Sequence, residues 1–347
     1  MPTARVRLQF RRYRLPFRQP VRTAHGRWIA REGLLVRLEH ADGRSGIGEV
    51  APLPDFGTET ADEAEAALRA LGEWIAPEAL VAVPARLGCV RRGLEVAARA
   101  AEGGEVTPAR RHLGVAALLP AGREAPTVLA ARAEIGFRVF KWKVGVGAAA
   151  DELALFDDVC AALPAGGKVR LDANGAWDRR VAERWLERCA ERPVEYVEQP
   201  CFAPAAAGAE ARRRAEDLLL GLAGDFPTPL ALDESLVGGG DVERWVGAGW
   251  PGVYVIKPSL LGDLTGALDR LARARAAVVF SSALETAVGA RAALEAAFSW
   301  PGEPRALGFG VWPLFATPHC EGPVAAPFLR WEDVVAIDPE AAWNALS

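Results

Sequence analysis

Apolar and polar residues alternate with a period of two at the start of the chain, as in Arg5-Val6-Arg7-Leu8-Gln9-Phe10. This pattern predicts strands over residues 3–14, 33–39 and 45–50, with Ala41-Asp42-Gly43-Arg44 as a meander turn. Thr60-Ala61-Asp62-Glu63 opens a helix running to about residue 75, and a second helix covers about 84–101. Strands followed by helices make an α+β unit, and Gly103-Gly104 with Pro108 places its boundary near 108. Beyond residue 112 the pattern changes to short apolar strands at 115–119, 138–144, 168–172, 194–198, 229–233, 252–257 and 277–281. Helical patterns fill the gaps, as at 151–163, 179–189, 210–222 and 264–275. Such alternation predicts a parallel sheet, and the length available is close to the ~250 residues of an eight-fold (β/α) barrel. A doubly wound open sheet is the structural alternative, but neither nucleotide-binding glycine fingerprint is present to support it. The expected organisation is therefore α/β: residues 1–108 as an α+β cap, and 109–347 as a barrel whose C-terminal segment could return to the cap.

Composition narrows the class. Half of the chain is apolar and a quarter charged, which excludes disorder, and a net charge of -4 excludes a chain built as a whole to bind nucleic acid. Residues 1–31 hold nine arginines and no acid, but the first serine is Ser45 and the period is two, so the segment reads as a strand rather than a transit peptide. Most of those arginines suit a solvated strand face; an arm that attracts an anionic ligand is the functional alternative. The five cysteines are scattered with no C-x-x-C spacing, and no apolar run is long enough to span a bilayer, so a cytoplasmic protein is expected. Of 41 basic residues only Lys141, Lys143, Lys168 and Lys257 are lysine. Arginine keeps its proton in proteins whereas lysine can be tuned, so a lysine retained here marks a position for chemistry.

The predicted strands end in charged or polar groups: Lys141-Trp142-Lys143, Asp172-Ala173-Asn174, Glu198-Gln199-Pro200, Asp233-Glu234-Ser235, Lys257-Pro258 and Ser281-Ser282. They recur about 24 to 35 residues apart, one strand plus one helix, and a barrel brings such ends into one ring at its C-terminal face. Residues two apart project to the same side, so Lys141 pairs with Lys143, and Arg170 with Asp172 and Asn174. If that side is the barrel interior, Asp172, Glu198 and Asp233 converge. Three close carboxylates need a cation, and hard oxygen donors without His or Cys select Mg2+ or Mn2+. The four histidines show no metal-binding spacing. Beside a metal and other ammonium groups a lysine can act as a general base, which fits removal of a weakly acidic proton α to a carboxylate. Each motif alone has a plainer explanation, as a solvated strand end, a turn or a helix cap. Those explanations do not account for order, spacing and lysine scarcity together.

The series Lys-x-Lys, Asp-x-Asn, Glu-Gln-Pro, Asp-Glu-Ser, Lys-Pro resembles the enolase superfamily, in particular its muconate-lactonising branch. Sites of this superfamily use a lysine or histidine base with magnesium. Residues 46–54 and 56–60, with Ser281-Ser282-Ala283-Leu284-Glu285-Thr286, resemble the o-succinylbenzoate synthase family. That resemblance implies a carbon-oxygen lyase dehydrating 2-succinyl-6-hydroxy-2,4-cyclohexadiene-1-carboxylate, a small dicarboxylate, in menaquinone or phylloquinone synthesis. It implies metal binding by Asp172, Glu198 and Asp233, Lys143 as base and then acid, Lys257 as electrostatic stabiliser and Lys141 as the residue tuning Lys143. Arg170 and Asn174 would orient ligands, Ser281 and Ser282 would hold the succinyl carboxylate, and a cap loop at 17–27, with three arginines and His25, would close over the substrate. A dipeptide epimerase or N-acyl amino acid racemase is the rival within the superfamily, but residues 307–312 at the last strand carry no acid to receive a substrate ammonium. Muconate cycloisomerisation and a metal-free binding barrel are the remaining alternatives.

Overall fold

The computed structural model describes residues 5–23 and 26–346. The chain begins with a long antiparallel hairpin, β1 (Val6–Thr23) and β2 (Gly26–Glu39), followed by β3 (Ser45–Val50), α1 (Ala61–Leu71), β4 (Trp74–Ile75), α2 (Pro77–Val81) and α3 (Gly88–Ala101). The four strands form one sheet in the order β3-β2-β1-β4. Both faces of this sheet are used. Val6, Leu8, Leu34, Val36 and Leu38 pack with Leu68 of α1 and Val90 and Leu94 of α3, whereas Tyr13, Leu15, Phe17, Leu35 and Ile47 join the core around the barrel. A strand covered on both sides reads as a continuous apolar run, which is why Leu34-Leu35-Val36 does not alternate.

Two expectations in this region are corrected. Of the segment 17–27 the described residues are strand rather than loop: β1 continues to Thr23 and β2 begins at Gly26, with an irregularity between Pro16 and Val21. Phe17 is buried and its ring stacks on Phe315 at 5.6 Å, so apolar contact with the barrel carries the strand on. His25 lies outside the described residues. The helix expected to reach 75 stops at Leu71 because Gly72 adopts a positive φ, and Trp74–Ile75 instead pairs with β1.

The second part runs through β5 (His112–Gly114), β6 (Ala117–Leu119), α4 (Ala125–Glu134), β7 (Val139–Lys143), α5 (Ala149–Ala161), β8 (Lys168–Asp172), α6 (Arg179–Cys189), β9 (Val194–Glu198) and α7 (Ala209–Asp225). It continues through β10 (Leu230–Leu232), α8 (Gly239–Gly247), β11 (Val253–Ile256), α9 (Leu264–Arg273), β12 (Ala277–Phe280) and α10 (Ala287–Ser299). β6 to β12 form one parallel sheet in chain order. Bridges from Leu307 to Val115 and from Gly308 to Ser281 join its two edges, so two residues serve as the eighth strand. A Cβ at Gly308 would lie 2.5 Å from the Ser281 hydroxyl oxygen, and that close approach requires glycine. The first strand, expected at 115–119, is shorter: Ala117–Leu119 pairs with β7 and Val115 is held by its bridge to Leu307, while just before it β5 pairs antiparallel with β13 (Phe328–Arg330).

Strand parity follows the period of two. Phe140, Trp142, Leu171, Val197, Leu232, Ile256 and Phe280 face outward into the helices, while Tyr196, Ala231, Val253, Val255 and Val279 form a separate inner cluster. Tyr196, Ala231, Val255 and Val279 lie two positions before Glu198, Asp233, Lys257 and Ser281, so those groups rise from a packed floor. After α11 (Trp331–Val335), α12 (Pro339–Asn344) returns to the cap. Arg11 lies 4.4 Å over the Trp343 ring and Arg37 pairs with Glu340 at 3.2 Å.

Candidate active site

The ends of β7 to β12 converge as their order requires. Lys143 and Asp172 are register partners, as are Asp172 and Glu198. The Lys141 ammonium stands between two carboxylates, 2.8 Å from Asp172 Oδ2 and 2.7 Å from Glu198 Oε1. Lys257 is hydrogen-bonded to Asp233. β7 and β11 are four strands apart in an eight-fold ring, so Lys143 and Lys257 face one another across it.

Their environments pull the titrations apart. For Lys141 burial favours the neutral form, but Asp172, Glu198 and Asp233 outweigh it and hold the ammonium well above the ordinary lysine value. For Lys143 burial dominates, and with Lys141 opposing a second charge it stays below the ordinary value despite Asp172. Burial also acts on Asp172, but Lys141 overcomes it and keeps that carboxylate low. Glu198, buried and facing Asp172 and Asp233, is pushed well up.

The donors match a hard divalent cation. Among the described residues no hydrogen-bond partner reaches the buried Glu198 Oε2, and Asp172 and Asp233 oppose its charge, so the oxygen is an open electron-pair donor that a hard cation would satisfy. As they stand, no three Asp, Glu, His or Cys side chains among the described residues are gathered tightly enough to hold an ion.

The other expected site residues separate into groups. Asn174 has a left-handed backbone, φ 45°, and donates from Nδ2 to Glu234 Oε1 at 3.0 Å. Ser281 sits at the ring with its hydroxyl on the Gly308 carbonyl at 3.3 Å. Ser282 is turned away: its hydroxyl donates to Glu285 Oε2 at 2.8 Å and accepts from the Leu284 N–H. These bonds fix the turn after β12. Arg170 is placed differently from the strand ends. It lies one layer below the strand ends, donating to Glu195 and the Ala306 carbonyl and stacking over Tyr196 at 4.9 Å. Its Nε and Nη1 donors tie neighbouring strands together beneath the ring.

Four further residues shape the site and were not singled out from the sequence. Gln199, fully buried, accepts from the N–H groups of Asp233 and Ser235 and donates to the Cys201 carbonyl and Ser235, tying two strand ends together. Glu234 is buried and raised to about 8 by desolvation and by Asp233. Glu152 of α5 accepts three N–H bonds from Gly145, Val146 and Gly147, fixing the loop after Lys143. Phe56 of the cap covers Lys257, its ring centre 4.7 Å from the ammonium. The Asp-Glu and Glu-Gln pairs were visible, but which member faces the ring depends on closure. A cavity of about 970 Å3 lies beside the ring, between the 54–59 segment of the cap and the loops after β9, β10 and β11, and Phe56 and Glu234 line it.

Comparison with known proteins places this arrangement. Residues 125–330 match the family model described as enolase C-terminal domain-like, and residues 5–101 match that of the MenC N-terminal domain. The o-succinylbenzoate synthase of Thermosynechococcus vestitus is 39% identical over 312 residues, 88% of this chain and 92% of that protein. The o-succinylbenzoate synthase of Thermobifida fusca is 32% identical over 344 residues, 95% of this chain and 93% of that protein. The crystal structure of o-succinylbenzoate synthase from Thermosynechococcus elongatus BP-1, complexed with magnesium in its active site, superposes with a TM-score of 0.78 at 38% identity, covering 90% of this chain and 95% of that one. A dipeptide epimerase from Cytophaga hutchinsonii reaches a TM-score of 0.77 at 18% identity, covering 91% of this chain and 89% of that one, and shares the fold.

Proposed function

The chain belongs to the o-succinylbenzoate synthase family of the enolase superfamily, and from that premise we propose how its residues carry out the dehydration of 2-succinyl-6-hydroxy-2,4-cyclohexadiene-1-carboxylate. Lys143, whose proton is loosened by burial, takes the proton from the carbon bearing the carboxylate. The C–H bond breaks toward the substrate carboxylate, and Lys257 on the opposite side of the ring stabilises the charge that develops there. Lys143, now an ammonium, returns its proton to the departing hydroxyl; the C–O bond breaks, water leaves and the ring becomes aromatic. One group thus serves as base and then acid, which places both departing atoms on one face.

Asp172, Glu198 and Asp233 are the residues that would hold Mg2+, and Mn2+ suits the same hard oxygen set. Bound there, the ion supplies Lewis-acid charge to the substrate carboxylate. Lys141 then fixes the charge state of Lys143 by ammonium repulsion, and Asn174 positions Glu234 beside the cavity. Ser281 is the hydroxyl placed to meet the succinyl carboxylate. The substrate is a small dicarboxylate in a pathway to menaquinone or phylloquinone. Five cysteines without a disulfide support a cytoplasmic location, and no helix among the described residues is long and apolar enough to cross a membrane.

The observation that carries the reading is the pair of lysines on opposite strands with three carboxylates between them. Loss of the cyclohexadiene absorbance on incubation with the purified protein, abolished by chelator and restored by Mg2+, is the expected result. No loss of absorbance, together with α-proton exchange of dipeptides or N-acyl amino acids in deuterated water, would replace it with epimerisation.

A further inference from the structure

We infer that Arg31 is a positioning residue that locks two loops beside the catalytic ring, one from the cap and one from the barrel, into a single arrangement. The inference rests on the proposed dehydration, because the two loops border groups assigned to it. Arg31 lies on β2 and is 3% exposed. Among the described residues its guanidinium donates to backbone carbonyls only. Nη2 reaches Ala51 at 2.7 Å, Nη1 reaches Pro52 at 2.6 Å and Glu32 at 2.7 Å, and Nε reaches Leu284 at 3.2 Å. Burying a guanidinium is costly unless its donors are filled, and a planar fork can serve several carbonyls that a lysine could not reach together.

These acceptors lie in parts of the chain far apart in sequence but adjoining the same site. Ala51 and Pro52 begin the segment that places Phe56 over Lys257. Leu284 belongs to the turn that follows Ser281, and its φ of 57° is a left-handed conformation that leucine avoids. Its N–H is held by the Ser282 hydroxyl and its carbonyl by Arg31, so the turn is fixed from both sides. A second cap residue anchors the same region. The buried carboxylate of Glu49, on β3, accepts from the Tyr13 hydroxyl, from the N–H and hydroxyl of Thr286, and from the Gly289 N–H at the start of α10. Glu49 holds the helix, while Arg31 alone among the described residues bonds to both loops. A shift of the Phe56 segment is therefore carried to the Ser281 turn through one side chain.

A double-mutant cycle in kcat/KM tests this coupling. In the wild type, Phe56→Leu and Ser281→Ala each disturb both loops, so the double variant should retain at least three-fold more kcat/KM than the product of the single losses predicts. In an Arg31→Lys background the same losses should multiply independently, and Arg31→Lys itself should raise KM several-fold more than it lowers kcat while its thermal unfolding stays cooperative. Strictly multiplicative losses in the wild type overturn the inference, and this arm decides it even if Arg31→Lys does not fold. An Arg31→Lys enzyme with wild-type KM and intact coupling overturns it as well. A wild-type protein unable to dehydrate the substrate would instead refute the proposed activity, so the two failures are distinguishable.

Discussion

Lys141 and Lys143 are chemically identical, two residues apart on one strand face, and the structure gives them opposite tendencies. Lys141 is clasped by two carboxylates and keeps its proton; Lys143 is half-buried beside that fixed positive charge and gives its proton up more readily. Replacing Lys143 with alanine should therefore lower kcat by about 10³-fold or more, in the range of a lost acid-base group, while Mg2+ titration by calorimetry remains near normal. Retained turnover would remove it as the base. Glu285 provides a test of stability at the same scale. It is fully buried, accepts from Ser282 and the Ala283 N–H, and is raised by burial to about 7 from an ordinary value of 4.5. A carboxyl raised in the folded state contributes stability that is complete below about 4.5 and lost as pH rises through about 7. The difference corresponds to about 3 kcal/mol. Urea unfolding should show stability falling more steeply from pH 5 to 7.5 in the wild type than in Glu285→Gln; equal slopes would mean that Glu285 is already ionised in the fold.

At the scale of elements, the outer layer depends on aromatic packing that strand and helix periods only partly announce. Trp185 of α6 stacks on Trp177 at 5.2 Å and meets Trp142 of β7 edge-on at 6.2 Å and Phe156 of α5 at 5.6 Å. One side chain thus joins two helices and the strand that carries both lysines. Trp185→Ala should destabilise the protein by about 3–5 kcal/mol, measured by denaturant unfolding, since the cavity left cannot be filled by rigid neighbours. Most barrel strands and their helices were legible because apolar runs bounded by turn residues are local signals. The first strand was less so. The apolar run predicts one strand over 115–119, whereas the short strand β5 before it is set by its antiparallel partner β13, more than 200 residues later, which no local pattern announces. The hairpin β1–β2 likewise outruns its pattern because Phe17 is buried by Phe315.

At the scale of the whole molecule, ion pairs of Lys141 and Lys257 with Asp172, Glu198 and Asp233 tie the strand ends together, and an ion bound by those carboxylates would add to stability through linkage. Mg2+ at 100 times its dissociation constant should raise the unfolding free energy by about 2.7 kcal/mol. A thermal-shift series should show that increase in the wild type and its loss in Asp172→Asn; an equal shift in both would place the ion elsewhere.

The chain order of Lys141, Lys143, Asp172, Glu198, Asp233, Lys257 and Ser281, and which neighbours along one strand share a face, were determined by the sequence alone, because alternation along a strand and the strand-helix repeat are local and survive any detail of packing. Tertiary structure alone decided that Arg170 turns downward to Glu195, that Ser282 serves Glu285, and that Phe56 and Arg31 of the cap complete a site built on the barrel. Those outcomes depend on how the barrel closes and at what angle the cap meets it. Contacts between residues hundreds of positions apart are selected by shape and charge in three dimensions, which no local period along the chain encodes.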